Sequence, residues 1–128
     1  MINSVEMVNW RAYDRREVRF DPGITFIMGA NGVGKTTILE AIAYAMTGEP
    51  STVGDRTKLL RDPTKLATVR LSFTIDGQAY AVERSQSSKR AESASLTRVG
   101  ERRRLANTHK AVTAEIERLM NVSAVFLQ

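Results

Sequence analysis

Cysteine is absent from this sequence of 128 residues, which excludes disulfide bonds and thiolate metal sites. No apolar run approaches the roughly 20 residues that a membrane-spanning helix needs, and the polar start at 1–4 is not a secretory signal. The one histidine, His109, cannot build a structural zinc site without cysteines. These absences predict a cytoplasmic protein with no membrane partner.

Acidic residues are fewer than basic ones. Lys and Arg number 19 against 14 Asp and Glu, which gives a net charge of +5. The excess is concentrated at 89–104, where Lys and Arg outnumber two glutamates. Clustered positive charge suits the phosphates of nucleic acid, but it is also typical of a solvated face. Charge alone therefore leaves open whether Arg102, Arg103 and Arg104 contact DNA.

The first third of the chain predicts strands followed by a helix. Apolar residues at 5–8 and alternation at 17–20 predict two strands, and 24–28 is an almost unbroken apolar run, typical of a strand buried on both faces. A helix is predicted from 35 to 46, ended by Gly48. Its apolar face is predicted to contain Ile38, Leu39, Ile42 and Met46.

The remainder predicts a hairpin layer and a second helix. After a loop at 47–65, alternation at 69–75 leads into Asp76-Gly77, a strong two-residue hairpin signal. Residues 86–92 are polar and predict a mobile tip, followed by a strand at 95–99. Thr108 is predicted to cap a helix, and Ser123 is predicted to start another. The apolar positions of the capped helix are Val112, Ile116, Leu119 and Met120.

Residues 29–36, GANGVGKT, match the phosphate loop G-x-x-x-x-G-K-[ST] at every fixed position. Glycines let the backbone wrap so that successive N–H groups face a phosphate, and the following helix adds its dipole. Lys35 supplies charge to the β- and γ-phosphates, and the Thr36 hydroxyl is a ligand for Mg²⁺. The predicted nucleotide-binding residues of the loop are Asn31, Gly32, Val33, Gly34, Lys35, Thr36 and Thr37. The alternative, a glycine-rich turn with an incidental lysine, arises by chance in about one of a few hundred such chains.

Several segments together resemble a known family. They are Asn9-Trp10-Arg11-Ala12-Tyr13, 22–25, 29–37, 39–42, the hairpin at Asp76-Gly77 and the stretch 114–119. This combination resembles the amino-terminal segment of SMC-like ABC ATPases, and the most similar branch is the Rad-fifty/SbcC ATPases of DNA double-strand-break repair. The resemblance covers nearly the whole chain. It implies an α/β P-loop NTPase fold, lobe I of an ABC-type head, with a mixed sheet and an antiparallel hairpin layer.

The resemblance also implies further contacts to the nucleotide. Arg11 would lie beside the bound nucleotide, and Leu60, Arg61 and Asp62 would contact the base or ribose. The alternative for Arg11 is an ordinary surface arginine in a strand-to-turn connection. Trp10 stands where the family often has phenylalanine, and both Trp10 and Tyr13 are predicted to serve in packing.

By the same resemblance, the complete protein would bind ATP and Mg²⁺ and hydrolyse ATP between two heads of a homodimer. Its partners would be DNA and a repair nuclease, in the cytoplasm at the nucleoid of a prokaryote. The sequence contains no strand ending in Asp-Glu, no LSGGQ-like signature, and no coiled coil with a hook. Residues 1–128 are therefore expected to be the amino-terminal part of a truncated head, with no catalytic residue and little or no activity alone.

Three alternatives remain open. A recombination-mediator or defence-type ATPase of the same clan would share this segment but lack the nuclease. A nucleotide kinase would use the same loop, but would also need lid arginines and an acceptor pocket. A basic DNA-binding module with a relic loop would not bind nucleotide, which a titration would reveal.

Overall fold

The computed structural model describes residues 1–20, 33–49 and 59–127, and for 33–36 and 121–127 only the backbone is described. The predicted turn at 21–23, the predicted strand at 24–28 and the first half of the phosphate loop, 29–32, lie outside these residues. The described elements are β1 (Ile2–Trp10), β2 (Tyr13–Arg19), α1 (Val33–Thr47), β3 (Ala67–Ile75), β4 (Gln78–Gln86), β5 (Ala91–Arg98), β6 (Arg104–Ala106) and α2 (His109–Leu127).

The strands form one sheet in the order β2-β1-β3-β4-β5-β6, and every neighbouring pair is antiparallel. In β1 and β3 alternate residues are buried, and the register sets Val5 opposite Leu71 and Met7 opposite Val69. These apolar side chains share one core with buried residues of α1 and α2, which therefore cover the same face of the sheet. The opposite face carries polar residues such as Arg70 and Glu83.

The hairpin between β3 and β4 confirms the prediction from Asp76-Gly77. Asp76 has φ of 50° and Gly77 has φ of 77°, the two left-handed residues that a tight two-residue turn requires. Thr108 also confirms its predicted role, because its Oγ1 accepts a hydrogen bond from the Ala111 N–H at 3.1 Å.

Other boundaries predicted from sequence were wrong. Gln86 is buried at the end of β4 and pairs with Ala91, so the predicted polar tip at 86–92 reduces to a turn at 87–90. Leu39 is 41% exposed, because the buried side of α1 runs instead through Ile38, Ala41, Ile42, Tyr44 and Ala45. Ser123 does not begin a helix, since α2 continues to Leu127.

A fully buried arginine on β4, Arg84, joins the end of α1 to the start of α2. Its Nε donates to the Ala45 carbonyl at 2.8 Å, and one terminal nitrogen donates to Thr113 Oγ1 at 2.8 Å. The other terminal nitrogen donates to the His109 carbonyl at 3.3 Å. Burial lowers the pKa of Arg84. The carbonyls at the end of α1 offset that cost, because they carry the negative end of the helix dipole.

Candidate nucleotide site at the start of helix α1

Helix α1 includes Val33, two residues before the predicted start, so it reaches into the phosphate-loop motif. Val33, Gly34, Lys35 and Thr36 are its first described residues. The amino-terminal end of a helix favours an anion, because its backbone N–H groups are unpaired and the positive end of the dipole lies there. Thr37 is buried. Asn31 and Gly32 lie outside the described residues.

Arg11, in the turn between β1 and β2, contacts α1 through an ion pair with two hydrogen bonds. Its Nε donates to Glu40 Oε1 at 2.7 Å and its Nη2 donates to Glu40 Oε2 at 2.6 Å. The hydrogen bond and the charge of Glu40 raise the pKa of Arg11. Glu40 is four residues after Thr36 on the same helix, so this pair lies about one turn, or 6 Å, beyond the phosphate loop.

Asn9 binds the turn at 62–66. Its Nδ2 donates to the Asp62 carbonyl at 2.9 Å and to the Lys65 and Leu66 carbonyls at 3.2 Å. Its Oδ1 accepts from the Asp62 N–H at 2.7 Å. One buried amide therefore contacts four backbone groups of this turn.

Trp10, between Asn9 and Arg11, is fully buried and packs its ring against Tyr44 of α1, with ring centroids 5.2 Å apart. This confirms the predicted packing role of Trp10. Tyr13 is half-buried beside the core, and the guanidinium of Arg16 lies over its ring. The three residues 9–11 thus bind one loop and one helix to the end of β1.

The structure places 59–61 against the first hairpin, beside Arg11. The Arg11 N–H donates to the Leu59 carbonyl at 2.6 Å, and the Arg61 N–H donates to the Asn9 carbonyl at 3.3 Å. The Leu60 side chain is buried in the core, whereas Arg61 is exposed and donates to the Ala12 carbonyl at 3.2 Å. Hydrogen bonds from Thr64 lower the pKa of Asp62.

The basic stretch 89–104 does not form one surface. Lys89 and Arg90 lie in the turn before β5, and 99–103 lie in the turn after it. Since β5 has eight residues, these turns are separated by about 26 Å at 3.3 Å per residue. Arg90 pairs with Glu92 at 3.2 Å, and Arg98 pairs with Glu101 at 3.3 Å. Arg102, Arg103 and Arg104 are exposed at the second end.

No functional or structural role was predicted from sequence for Glu40, Asn9 or Arg84. Glu40 and Asn9 belong to segments that carry the family resemblance, which was the available signal. Arg84 had no such signal. Within the part of the chain that the structure describes, no helix is long and apolar enough to cross a membrane.

Comparisons with known proteins agree with this arrangement. A family model described as an AAA domain matches residues 4–125. The DNA double-strand break repair Rad50 ATPase of Methanopyrus kandleri is 38% identical over 85 residues, covering 66% of this chain and 10% of the relative. The DNA replication and repair protein RecF of Arthrobacter sp. (strain FB24) is 30% identical over 97 residues, covering 76% of this chain and 24% of the relative. The chain thus spans a quarter or less of these relatives.

Solved structures also share the fold. The recombination mediator protein RecF-ATPrS of the RecFOR pathway superposes with a TM-score of 0.62 at 20% identity, covering 91% of this chain and 29% of that one. The predicted P-loop α/β fold is thereby confirmed, and the described sheet is its antiparallel layer. From the family model, the relatives and the fold together, the chain belongs to the SMC-like ABC ATPases of the Rad50 and RecF type.

Proposed function

We propose that this chain binds ATP with Mg²⁺ through residues 29–37, as the amino-terminal part of an ATPase head that acts in DNA double-strand-break repair. The observation that carries the proposal is that α1 already includes Val33, so that Lys35 and Thr36 of a complete phosphate-loop motif lie at the amino-terminal end of its described part. The Rad50 relatives support the repair role. The experiment that tests nucleotide binding is the replacement of Lys35, treated in the Discussion.

The residues at the start of α1 fit both groups. A helix N-terminus and a lysine suit a polyphosphate, and a hydroxyl in the first turn suits Mg²⁺, which prefers oxygen ligands. Bound Mg²⁺ would neutralise phosphate charge, with Thr36 as its ligand from this chain. Arg11 would lie beside the nucleotide at the next turn, and 60–62 would follow the base or ribose. No residue of 1–128 is proposed as catalytic.

The proposed complete head would form a homodimer around ATP, in the cytoplasm, with DNA and a repair nuclease as partners. The relatives include both Rad50-type and RecF-type proteins, which supports either type for this chain. The RecF type, a recombination mediator without the nuclease, is the second candidate, favoured by the RecF relative that is 30% identical over 97 residues. Purifying the full-length protein and assaying for a DNA nuclease that copurifies in stoichiometric amount would separate the two, since only the Rad50 type retains one.

This chain alone is expected to bind ATP but to hydrolyse it very slowly, because it has no Asp-Glu strand and no signature motif to activate the attacking water. Mixing it with the matching carboxy-terminal half of the head should raise turnover about a hundredfold or more, the usual effect of a positioned acid-base group. Phosphate release with and without that half is the measurement. Rapid hydrolysis by residues 1–128 alone would show that the water is activated from within this chain.

If the second basic end contacts DNA, replacing Arg102, Arg103 and Arg104 with serine in the assembled head should flatten the slope of log affinity against log salt by roughly one to two units. One to two units correspond to the loss of roughly one or two phosphate contacts from these three residues. Fluorescence anisotropy with duplex DNA at several salt concentrations measures the slope. ATP affinity should not change.

The matched control for this patch is Lys89→Ser with Arg90→Ser at the opposite end of β5, about 26 Å away. If the DNA lies on the 102–104 end alone, this control leaves the slope unaltered. Equal effects from both ends would indicate a general charge effect. No effect from the triple replacement would show that the three arginines form an ordinary solvated surface.

A further inference from the structure

We propose that Glu40 is a positioning residue, which holds the Arg11 guanidinium where it can contact the phosphates of a bound nucleotide. This inference rests on the proposed nucleotide site. It concerns a residue on the buried side of α1 for which neither the phosphate-loop motif nor the residues predicted from sequence supplied a role.

The Glu40 side chain is 4% exposed, whereas its neighbour Leu39 is 41% exposed. This is the reverse of what their polarities favour, because a buried carboxylate costs free energy unless it is paired and hydrogen-bonded. The two short bonds to Arg11 supply that pairing. Glu40 therefore has a specific reason to be inside, and the pair with Arg11 is that reason.

Arg11 is held at its backbone as well as at its head. Its φ of 55° lies in the left-handed region, which is unfavourable for a non-glycine residue. The N–H bond to the Leu59 carbonyl at 2.6 Å fixes that conformation, and Asn9 on the other side of Trp10 is also left-handed, with φ of 53°. Such strain persists where the surroundings determine it, and it concentrates at binding sites.

The direction in which helical side chains lean also favours a contact between the ion pair and a bound nucleotide. Helical side chains lean toward the helix N-terminus, so the Glu40 carboxylate extends over the turn that contains Thr36 and Thr37. The Arg11 side chain remains 29% exposed while it is paired, and it is thus accessible to a ligand. An arginine held in advance loses less side-chain entropy when it binds a phosphate than a free one would.

The alternative is an ordinary ion pair that only fastens β1 to α1. The two roles differ in one measurable property, which is the coupling between the residues in nucleotide binding. A pair that serves only the fold changes stability and leaves phosphate affinity unaltered. A positioning pair makes the effect of Glu40 on affinity depend on the presence of Arg11.

The test is a double-mutant cycle in the full-length protein, with the dissociation constant for Mg-ATP measured by calorimetry. Arg11→Ala should weaken binding about 10- to 100-fold, the loss of a charge-assisted hydrogen bond. Glu40→Gln, which keeps the shape but removes the charge, should weaken it about 5- to 20-fold. The double variant should bind like Arg11→Ala alone, because the proposed effect of Glu40 on the nucleotide passes through Arg11.

Two further variants serve as controls. Glu6→Gln breaks a comparable but exposed ion pair, with Arg15 of the same hairpin at 3.2 Å, and it should leave ATP affinity unaltered. Arg11→Lys keeps the charge but loses the two-point geometry, and it should bind between wild type and Arg11→Ala. If circular dichroism shows that Glu40→Gln fails to fold, Arg11→Lys replaces it as the test of the proposal.

Wild-type affinity in Glu40→Gln, or in Arg11→Lys when that variant replaces it, would overturn the proposal. So would single effects that multiply in the double variant. Lys35→Ala, measured alongside, separates this failure from the failure of the nucleotide site itself. If Lys35→Ala also binds ATP normally, the proposed function is wrong; if only Glu40 has no effect, the ion pair serves the fold alone.

Discussion

Lys35→Ala is expected to abolish measurable ATP binding, weakening it by about 10²- to 10⁴-fold. The lysine is proposed to reach two phosphates, and each charge-assisted hydrogen bond contributes about 1.5–3 kcal/mol. No other residue in the first turn of α1 carries a positive charge. Calorimetry with Mg-ATP and Mg-ADP is the measurement.

The fold should survive Lys35→Ala, because alanine is the strongest helix former and Lys35 lies in helix α1. Lys65→Ala is a suitable control, since this exposed lysine lies in the turn that Asn9 holds, near the same end of the sheet. It should bind ATP within about twofold of wild type, as expected for a screened surface charge. Undiminished ATP binding by Lys35→Ala would rule out the phosphate-loop assignment.

Arg84→Ala is expected to lower the free energy of unfolding by about 3–5 kcal/mol, the usual cost of breaking a buried charged network. The substitution removes every donor that joins Ala45, His109 and Thr113. It also leaves a cavity in a region where the side chain is fully buried. Urea unfolding monitored by circular dichroism measures the change.

The matched control for Arg84→Ala is Arg70→Ala on the neighbouring strand β3. Arg70 is on the opposite face of the sheet, about half exposed, and pairs with Glu83 at 3.4 Å. Its removal should cost less than about 1 kcal/mol, as exposed ion pairs do. Similar losses at both positions would contradict the view that Arg84 fastens the two helices.

Local patterns in the sequence predicted the elements whose signals are contiguous. The hairpin at Asp76-Gly77, the alternation of β3 and the cap at Thr108 each depend on residues within a few positions of one another. The phosphate loop is also contiguous, and the helix after it was placed within two residues. The register of the sheet follows from these turns and from the alternation of buried side chains.

The polar interior could not be predicted in the same way. Arg84 donates to Ala45, 39 residues away, and Arg11 pairs with Glu40, 29 residues away. A polar residue on a strand or helix is ordinarily assigned to the solvent side, so its burial becomes visible only when the distant partner is known. The same reason explains Gln86, which was assigned to a polar tip and lies buried in β4.

The position of β1 in the sheet has a consequence for synthesis of the protein on the ribosome. β1 pairs with β2 on one side, which follows at once, and with β3 on the other, where Val5 lies opposite Leu71. At a translation rate of about 5–20 residues per second, the interval between Arg19 and Ile75 is roughly 3–11 s. During that time the newborn hairpin exposes the unpaired edge of an apolar strand, which can capture other chains. β1 is thus synthesised first and remains without its second neighbour, β3, for this whole interval. Slow translation of 20–66 would prolong the exposure of its edge.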